Sequence, residues 1–349
     1  MRLGSSISRK LRALTAVTLA AALLAPVQAM AQKKDVTTWR VQSHWPAASS
    51  SYKDSLMTLR DKLIERTDGR LVLELYEAGT LFSATDSFNA VRRGVIQMAT
   101  ISPAYIIDQV PLAGVASGLP FAFRKVEEAA YFHKELGFEQ MMREAVAKYG
   151  VYYSTDKVYP TEMVVKYPIK SYEDFTRLKI RSSGALQVFL TQAGAAASYV
   201  SGAELYTALS QGIIDGAHWG AVQGALSMSL YEVAKYHVRP ALNIAGTDAF
   251  IINQKAIDRL PEDVRKILYE TLEEQFVLRT EEYQRQEEEA LAKAQQELGV
   301  QVNYLPDDVV AHLTETAQKI WEQEAARSPE SAKAVEMLRN YLRELGYIE

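Results

Sequence analysis

The spacing of apolar residues along the chain predicts alternating strands and helices. Thr38 to Gln42 and Arg70 to Tyr76 alternate apolar and polar positions, as strands with one buried face do. Between them, Tyr52 to Thr67 carries apolar residues at the three- and four-residue spacing of an amphipathic helix. A strand, a helix and a strand in this order are typical of the start of a parallel sheet. The pattern therefore predicts an α/β fold.

The most regular run of alternating elements lies between Leu178 and Gly220. It predicts three strands separated by two helices, with Arg181 at the end of the first strand and His218 and Trp219 at the end of the last. Ligands of open α/β sheets bind at the carboxyl ends of strands. Arg181 is therefore the first candidate for a ligand contact, although an arginine at a strand end also commonly forms a salt bridge between domains or at the surface.

Two segments share Ala, Gly, Ile and Ala at a constant offset of 118 residues, namely Asn89 to Ala99 and Thr207 to Ala217. In each, a predicted helix ends at glycine and a short apolar strand follows at once. This arrangement is common, so chance similarity is the alternative to a true repeat. A true repeat would give two similar lobes in which Thr100-Ile101-Ser102 corresponds to His218-Trp219-Gly220. Ser102 would then face the His-Trp pair across a cleft.

The middle of the chain is predicted to cross between these lobes. Val126 to Lys148 has the pattern of one helix, and Val151 to Ser154 and Met163 to Lys166 that of two strands. A turn is expected between these strands, at Asp156 to Pro160. Asp248 to Asn253 would be the returning strand, so the crossing segments form a natural hinge.

The last part of the chain is predicted to be helical. No Pro or Gly interrupts the sequence between Pro261 and Gly299, and acidic residues follow the proline. The dense charge from Glu273 to Glu289 predicts a solvated helix that straps both lobes, with a coiled-coil dimer arm as the alternative. Two further helices, Pro306 to Ala326 and Glu330 to Leu345, are expected to end the chain.

Residues 1–31 have the pattern of a cleaved secretory signal peptide. A basic start precedes an apolar run from about Ala13 to Val27 and a small-residue site at Ala29-Met30-Ala31. An uncleaved membrane anchor is the alternative. Cleavage would remove four of the 39 basic residues and none of the 43 acidic ones. The remaining acidic balance disfavours nucleic acid as a partner, since binding phosphates requires a basic face.

The sequence lacks the common catalytic motifs. It contains no Cys, no P-loop, no Gly-x-Ser-x-Gly elbow and no Gly-x-Gly-x-x-Gly after the first strand. Its five histidines show no zinc-binding spacing. The sequence therefore predicts neither an enzyme nor a cofactor.

Several motifs resemble the DctP-type solute-binding proteins of tripartite ATP-independent periplasmic (TRAP) transporters. They are Pro168 to Phe175, Leu178 to Arg181, Glu204 to Leu209, Gly212 to Gly216, Thr67 to Arg70, Ala78 to Leu81, Leu119 to Phe121 and Leu260 to Val264. The resemblance extends over nearly the whole chain after the signal peptide. It implies a two-lobed α/β periplasmic binding protein fold, with a ligand cleft between lobes, crossing hinge strands and a long strapping helix.

The resemblance also implies an organisation of the chain. Residues 32–157 with about 247–286 would form lobe I, residues 158–246 with about 287–305 would form lobe II, and residues 306–349 would be C-terminal helices packed on the lobes. The protein would act in the periplasm as a monomer or dimer. It would deliver its ligand to a small and a large integral membrane subunit, driven by an ion gradient.

The resemblance implies that Arg181 holds the ligand carboxylate, which a guanidinium can bind through two parallel hydrogen bonds. Family members that bind 2-oxo acids together with a metal ion commonly carry Glu-Trp where this chain has His218-Trp219. The loss of that carboxylate weakens the case for a cation, which prefers oxygen ligands, so no metal is expected. The imidazole of His218 instead can donate a hydrogen bond to the ligand, while Trp219 packs on its apolar part.

Ser102 and Thr161 are candidates to bind a polar group next to the ligand carboxylate. The sialic-acid-binding branch has a second arginine close to the position of Thr161, and its absence here disfavours a large sugar acid. Glu162 is either a ligand contact, for a hydroxyl or a cation, or an exposed residue at a strand end.

Four residues on other loops complete the candidate site. His44, Trp45 and Tyr105 lie on loops of the first lobe, where they either line the cleft or pack under their own loops. Asp248 is a weaker candidate, because Asp before a strand usually caps or turns.

The favoured ligand is a small monocarboxylate of the 2-oxo or 2-hydroxy type. A dicarboxylate, an aromatic acid or a sugar acid is the alternative within the same class of protein. Two other classes stay open at this point: a sensory protein that passes its ligand to a membrane receptor, and a periplasmic enzyme that acts on an acid.

Overall fold

In residues 35–349, which are the part of the chain that this computed structural model describes, nine strands form one mixed sheet. The predicted signal peptide lies outside these residues. The strands are β1 Thr37–Gln42, β2 Leu71–Tyr76, β3 Met98–Ile101, β4 Val151–Val165, β5 Lys179–Arg181, β6 Ala196–Ser198, β7 Gly216–His218, β8 Tyr236–Asn253 and β9 Gln301–Tyr304. Helices cover the sheet, so the mixed α/β class predicted from the sequence is confirmed.

The helices lie in the segments that connect these strands and at the end of the chain. They are α1 Thr58–Arg66, α2 Ser87–Arg92, α3 Ala113–Ala116, α4 Val126–Lys134, α5 Phe138–Ala147, α6 Tyr172–Thr176, α7 Gly184–Gln192, α8 Leu205–Ser210, α9 Val222–Ser227, α10 Leu230–Val233, α11 Gln254–Asp258, α12 Glu262–Leu298, α13 Asp307–Ala325 and α14 Pro329–Glu344. Shorter turns are π-helical at Tyr52–Met57 and 3-10 at Pro103–Tyr105 and Gly202–Glu204.

The sheet order is β2-β1-β3-β8-β4-β7-β5-β6, and β9 pairs with β8. Strand β1 runs parallel to β2 and β3, and β5 runs parallel to β6 and β7. The long strands β4 and β8 lie antiparallel at the centre and carry the sheet from one group to the other. The sheet therefore has two halves, each with its own short parallel strands.

The predicted turn at Asp156 to Pro160 is wrong, because β4 passes through it as one strand. Its pairing with β8 is irregular there, with register shifts between Thr155 and Lys157 and between Tyr159 and Thr161. Two charged residues of the predicted turn, Asp156 and Lys157, are buried and ion-paired inside the fold. Strand β8 likewise begins at Tyr236, well before the predicted return strand.

The internal repeat is confirmed as a repeat of local structure. Helix α2 is followed by Gly94 at φ +71° and then by β3, and helix α8 by Gly212 at φ +72° and then by β7. Both glycines adopt the left-handed conformation that ends a helix at low steric cost. Strand β3 pairs with β8 and strand β7 with β4, so the two repeats lie in different halves of the sheet.

The single helix predicted over Val126 to Lys148 is wrong, because Gly137 at φ +84° separates α4 from α5. The predicted first helix starts as a π-helical segment before α1. Helix α12 is 37 residues long and packs against α1, β4 and α9, as a helix that straps both halves does. None of the helices within residues 35–349 combines the length and apolar character needed to cross a membrane.

Candidate ligand-binding site

A cavity of about 60 Å³ lies where β1, β3, β5 and β7 end, and residues from both halves of the sheet line it. Eight of the ten predicted site residues meet there. They are His44, Trp45, Ser102, Tyr105, Arg181, His218, Trp219 and Asp248. The other lining residues are Ser49, Ser51, Tyr159, Ser183, Gly220, Gly224 and Tyr283.

Arg181 is the last residue of β5, and only 2% of its surface is exposed. Its Nε donates to the Val200 carbonyl at 2.9 Å and its Nη1 to the His218 carbonyl at 3.1 Å. Its Nη2 donates to Tyr105 Oη at 3.3 Å. One N–H on each terminal nitrogen is left without a protein acceptor.

No Asp or Glu in residues 35–349 forms an ion pair with Arg181. Its guanidinium instead lies over the Trp219 ring, 5.2 Å from the ring centroid. A buried charge is costly unless it is paired, because the protein interior solvates it poorly. The site therefore offers a desolvated cation, with two free donors, to an anion.

His218 supports the guanidinium through its backbone and remains neutral. A hydrogen bond of 2.9 Å joins its Nε2 to Ser182 Oγ. Burial, reinforced by the Arg181 charge, lowers the pKa of His218 to about 3. The ring therefore carries no charge at neutral pH, and its Nδ1 has no protein partner within the described residues.

Two close approaches fix the loop after β7. A Cβ on Gly202 would lie 2.3 Å from the Trp219 ring, so the indole needs a glycine beneath it. Gly220 has φ +67°, and a Cβ there would lie 2.3 Å from Tyr283 Oη. Tyr283 thus reaches the cavity from the long helix α12.

The opposite wall is built around the carboxylate of Asp248. Tyr159 Oη donates to Asp248 Oδ1 at 3.1 Å, and His44 Nε2 lies 3.3 Å from the same oxygen. A hydrogen bond of 2.9 Å joins the other ring nitrogen of His44 to Thr100 Oγ1. The Tyr105 ring lies 5.9 Å from that of His44, so Tyr105 connects this wall with Arg181.

Behind this wall lies Lys157, a fully buried residue that is not among those predicted from the sequence. Its Nζ donates to Asp248 Oδ2 at 2.8 Å and to Asp156 Oδ2 at 3.0 Å. The ring centroids of Trp45 and Tyr159 lie 4.7 and 5.1 Å from the same nitrogen. Burial alone would raise the pKa of Asp248, but Lys157 and His44 outweigh it and hold that pKa below its ordinary value.

Thr161 and Glu162 do not line the cavity. Glu162 is buried elsewhere, where it accepts a 2.6 Å hydrogen bond from His237 Nε2 and lies 3.3 Å from Arg239 Nε. Thr161 faces the neighbouring strand, where a Cβ on Gly246 would lie 2.6 Å from its hydroxyl. Glu162 is therefore paired within the fold, and Thr161 lies against strand β8.

Residues 42–328 match the family described as bacterial extracellular solute-binding protein, family 7, or DctP. The chain belongs to this family. It is 24% identical over 245 residues, 66% of its length, to a monocarboxylate 2-oxoacid-binding periplasmic protein of Nostoc sp.. That match spans 63% of the Nostoc protein's length.

Solved structures show the same two-lobed fold. A TRAP transporter solute-binding protein of Bordetella bronchiseptica, with calcium and picolinate, matches with a TM-score of 0.82 at 20% identity, over 89% of this chain and 93% of that one. A TRAP solute-binding protein of Pseudoalteromonas atlantica, with sodium and pyruvate, matches with a TM-score of 0.81 at 24% identity, over 89% and 95%. The DctP-type two-lobed fold expected from the sequence is confirmed.

The cavity of this chain offers few carboxylate ligands for a metal ion like those named in these two structures. Asp248 is the one carboxylate among its lining residues, and Lys157 and His44 already contact it. Within residues 35–349, no group of three or more His, Cys, Asp or Glu side chains could hold a metal ion. Calcium takes about six to eight oxygen ligands, mostly from carboxylates and carbonyls. The positive charge of this site is supplied by side chains.

Proposed function

We propose that this protein captures a small monocarboxylate of the 2-oxo or 2-hydroxy type and delivers it to the small and large membrane subunits of a TRAP transporter. The observation that carries the proposal is the buried guanidinium of Arg181, which has free donors and no acidic partner in the described chain. A ligand carboxylate would supply the missing negative charge and accept both donors. The 2-oxoacid-binding Nostoc relative supports this class of ligand.

The size of the cavity supports a small ligand. The cavity measures only about 60 Å³, which is small for a ligand site. This size favours a three-carbon acid over a sugar acid. A dicarboxylate is disfavoured as well, since its second charge would lie in a small cavity that already contains the Asp248 carboxylate.

Binding would occur between two lobes with the boundaries expected from the sequence. Strands β4 and β8 would serve as the hinge, because they alone connect the two groups of parallel strands in the sheet. Closure would bring Tyr105 of lobe I onto Arg181 of lobe II, with Trp219 on the apolar part of the ligand and His218 and Ser102 on its neighbouring polar group. Excluding water would strengthen the ion pair.

A thermal-shift panel on the protein without residues 1–31 tests this function. Pyruvate, lactate, succinate, glucuronate and picolinate are each added with calcium or with a chelator. We expect the small monocarboxylates to raise the melting temperature most, equally in both conditions, because a ligand of the folded state stabilises it by mass action. A shift confined to the larger acids, or one that requires calcium, would contradict the proposal. If no acid gives a shift, mass spectrometry of the denatured protein must find a co-purified small monocarboxylate for the proposal to stand.

A further inference from the structure

Arg181 and Asp248, at the two polar ends of the cavity, have fixed and opposite hydrogen-bonding roles. Arg181 can only donate, and an ionised Asp248 can only accept. The hydroxyl groups of Ser102, Ser183 and other lining residues can rotate to do either, so they do not discriminate between ligands. We propose that Asp248 selects a ligand with a hydrogen-bond donor, which makes 2-hydroxy monocarboxylates, rather than 2-oxo ones, the ligands of this protein. This inference rests on the proposed function and specifies its ligand class.

Three contacts keep Asp248 ionised. The ammonium of Lys157 lies 2.8 Å from Oδ2, while Tyr159 Oη and His44 Nε2 lie 3.1 and 3.3 Å from Oδ1. Each of these groups stabilises the charged form of the carboxylate. Burial alone would raise the pKa of Asp248, but Lys157 and His44 hold it below its ordinary value, so the group is an acceptor at neutral pH.

Asp248 also has an acceptor site left for the ligand. A carboxylate offers about four lone-pair sites. Oδ1 is used by Tyr159 and His44, and Oδ2 by Lys157 alone, which leaves one site on Oδ2. No other group in residues 35–349 fills it.

Arg181 and Asp248 line the same small cavity, so a ligand that fills it can contact both. Tyr105, which also lines the cavity, has its hydroxyl 3.3 Å from Arg181 Nη2 and its ring 5.9 Å from the ring of His44. A 2-hydroxy acid bound to Arg181 through its carboxylate can donate its hydroxyl hydrogen to Asp248. The oxo oxygen of a 2-oxo acid has no hydrogen, so it would bring lone pairs against the carboxylate and leave the acceptor site unfilled.

Isothermal titration of the protein without residues 1–31 with lactate and with pyruvate tests this selectivity. We expect lactate to bind about 10- to 100-fold more tightly, which is the effect of leaving a buried acceptor unpaired. Asp248→Asn introduces an amide that also donates, so it should bring the affinity ratio of the two acids close to one. Asp156→Asn is the matched control, since it removes the same charge from the other side of Lys157 without altering a lining residue.

The results of this titration distinguish a failure of the selectivity from a failure of the proposed function. Equal or tighter binding of pyruvate by the unaltered protein would overturn the selectivity and leave the monocarboxylate function intact. Absence of binding by any small monocarboxylate would overturn both. If Asp248→Asn does not fold, the ratio measured on the unaltered protein decides, with glycolate and glyoxylate as a second hydroxy and oxo pair.

Discussion

Replacing Lys157 with methionine should destabilise the protein strongly at neutral pH. The lysine is fully buried, and its ammonium is shared by Asp156 and Asp248. Methionine keeps much of the side-chain volume but leaves two buried carboxylates without their cation. Removing one partner of a buried ion pair costs about 3–5 kcal/mol. Because Asp156 still accepts from Ser55 Oγ at 2.7 Å, and Asp248 from Tyr159, we expect the lower end of this range.

The loss of unfolding free energy caused by Lys157→Met should become smaller as the pH falls. In the unaltered protein the folded pKa of Asp248 lies below its unfolded value, so its ionisation stabilises the fold above about pH 4, and this contribution is lost in acid. In Lys157→Met the same carboxylate is buried without its main cation, so its folded pKa rises above the unfolded value. Ionisation of Asp248 then destabilises the fold of the variant instead of stabilising it. The variant therefore gains stability relative to the unaltered protein as the pH falls.

Urea denaturation of both proteins at pH 7.5 and pH 4.5 measures this difference in unfolding free energy. Lys148→Met is the matched control, because Lys148 pairs with Glu330 at 2.9 Å while their side chains are 64% and 47% exposed. Exposed pairs contribute at most about 1 kcal/mol. A loss below about 1 kcal/mol for Lys157→Met at pH 7.5, or an equal loss at both pH values, would show that Lys157 does not stabilise two buried carboxylates.

Two further predictions concern a backbone contact and buried histidines. Gly220→Ala should lower the melting temperature more than Gly299→Ala, since both glycines are left-handed but only a Cβ on Gly220 meets Tyr283 Oη, at 2.3 Å; equal shifts would mean that the contact is unimportant. The pKa values of His133 and His218 are lowered to about 3 by burial and a neighbouring cation, so the unfolded chain binds more protons below about pH 6.5 and stability should fall there, by up to about 1.4 kcal/mol per pH unit for each. Urea denaturation across this pH range should show a shallower slope of unfolding free energy against pH for His218→Gln. An unchanged slope would contradict the assignment of His218 as neutral.

The features that the sequence predicted best are those set by neighbouring residues. A helix, a left-handed glycine and an apolar strand follow one another within about a dozen residues, so both repeats could be located before the fold was known. Arg181 and His218 could be placed at strand ends for the same reason. The sheet then brings strand ends together, which explains why most candidate residues share one cavity.

The features that the sequence did not predict depend on distant partners. Lys157 is paired with Asp248, 91 residues away, and Asp156 with Ser55, 101 residues away, so no local pattern shows that this segment is a buried strand. Tyr283 reaches the cavity from the far end of the chain. In the sequence it stands out only as an apolar residue within a highly charged helix. The sequence makes Glu162 a candidate ligand contact, because nothing near it in the chain points to its partner His237, 75 residues away on β8.

The role of Arg181 as the carboxylate clamp is tested most directly by the affinity of Arg181→Ala for the small monocarboxylate that the unaltered protein binds most tightly. Isothermal titration should show at least about a 30-fold weaker affinity, which corresponds to about 2 kcal/mol for a buried charge-assisted bond. Arg177→Ala, which removes a 70% exposed guanidinium that pairs with Glu173, should leave the affinity unchanged. Undiminished binding by a folded Arg181→Ala protein would contradict the carboxylate clamp.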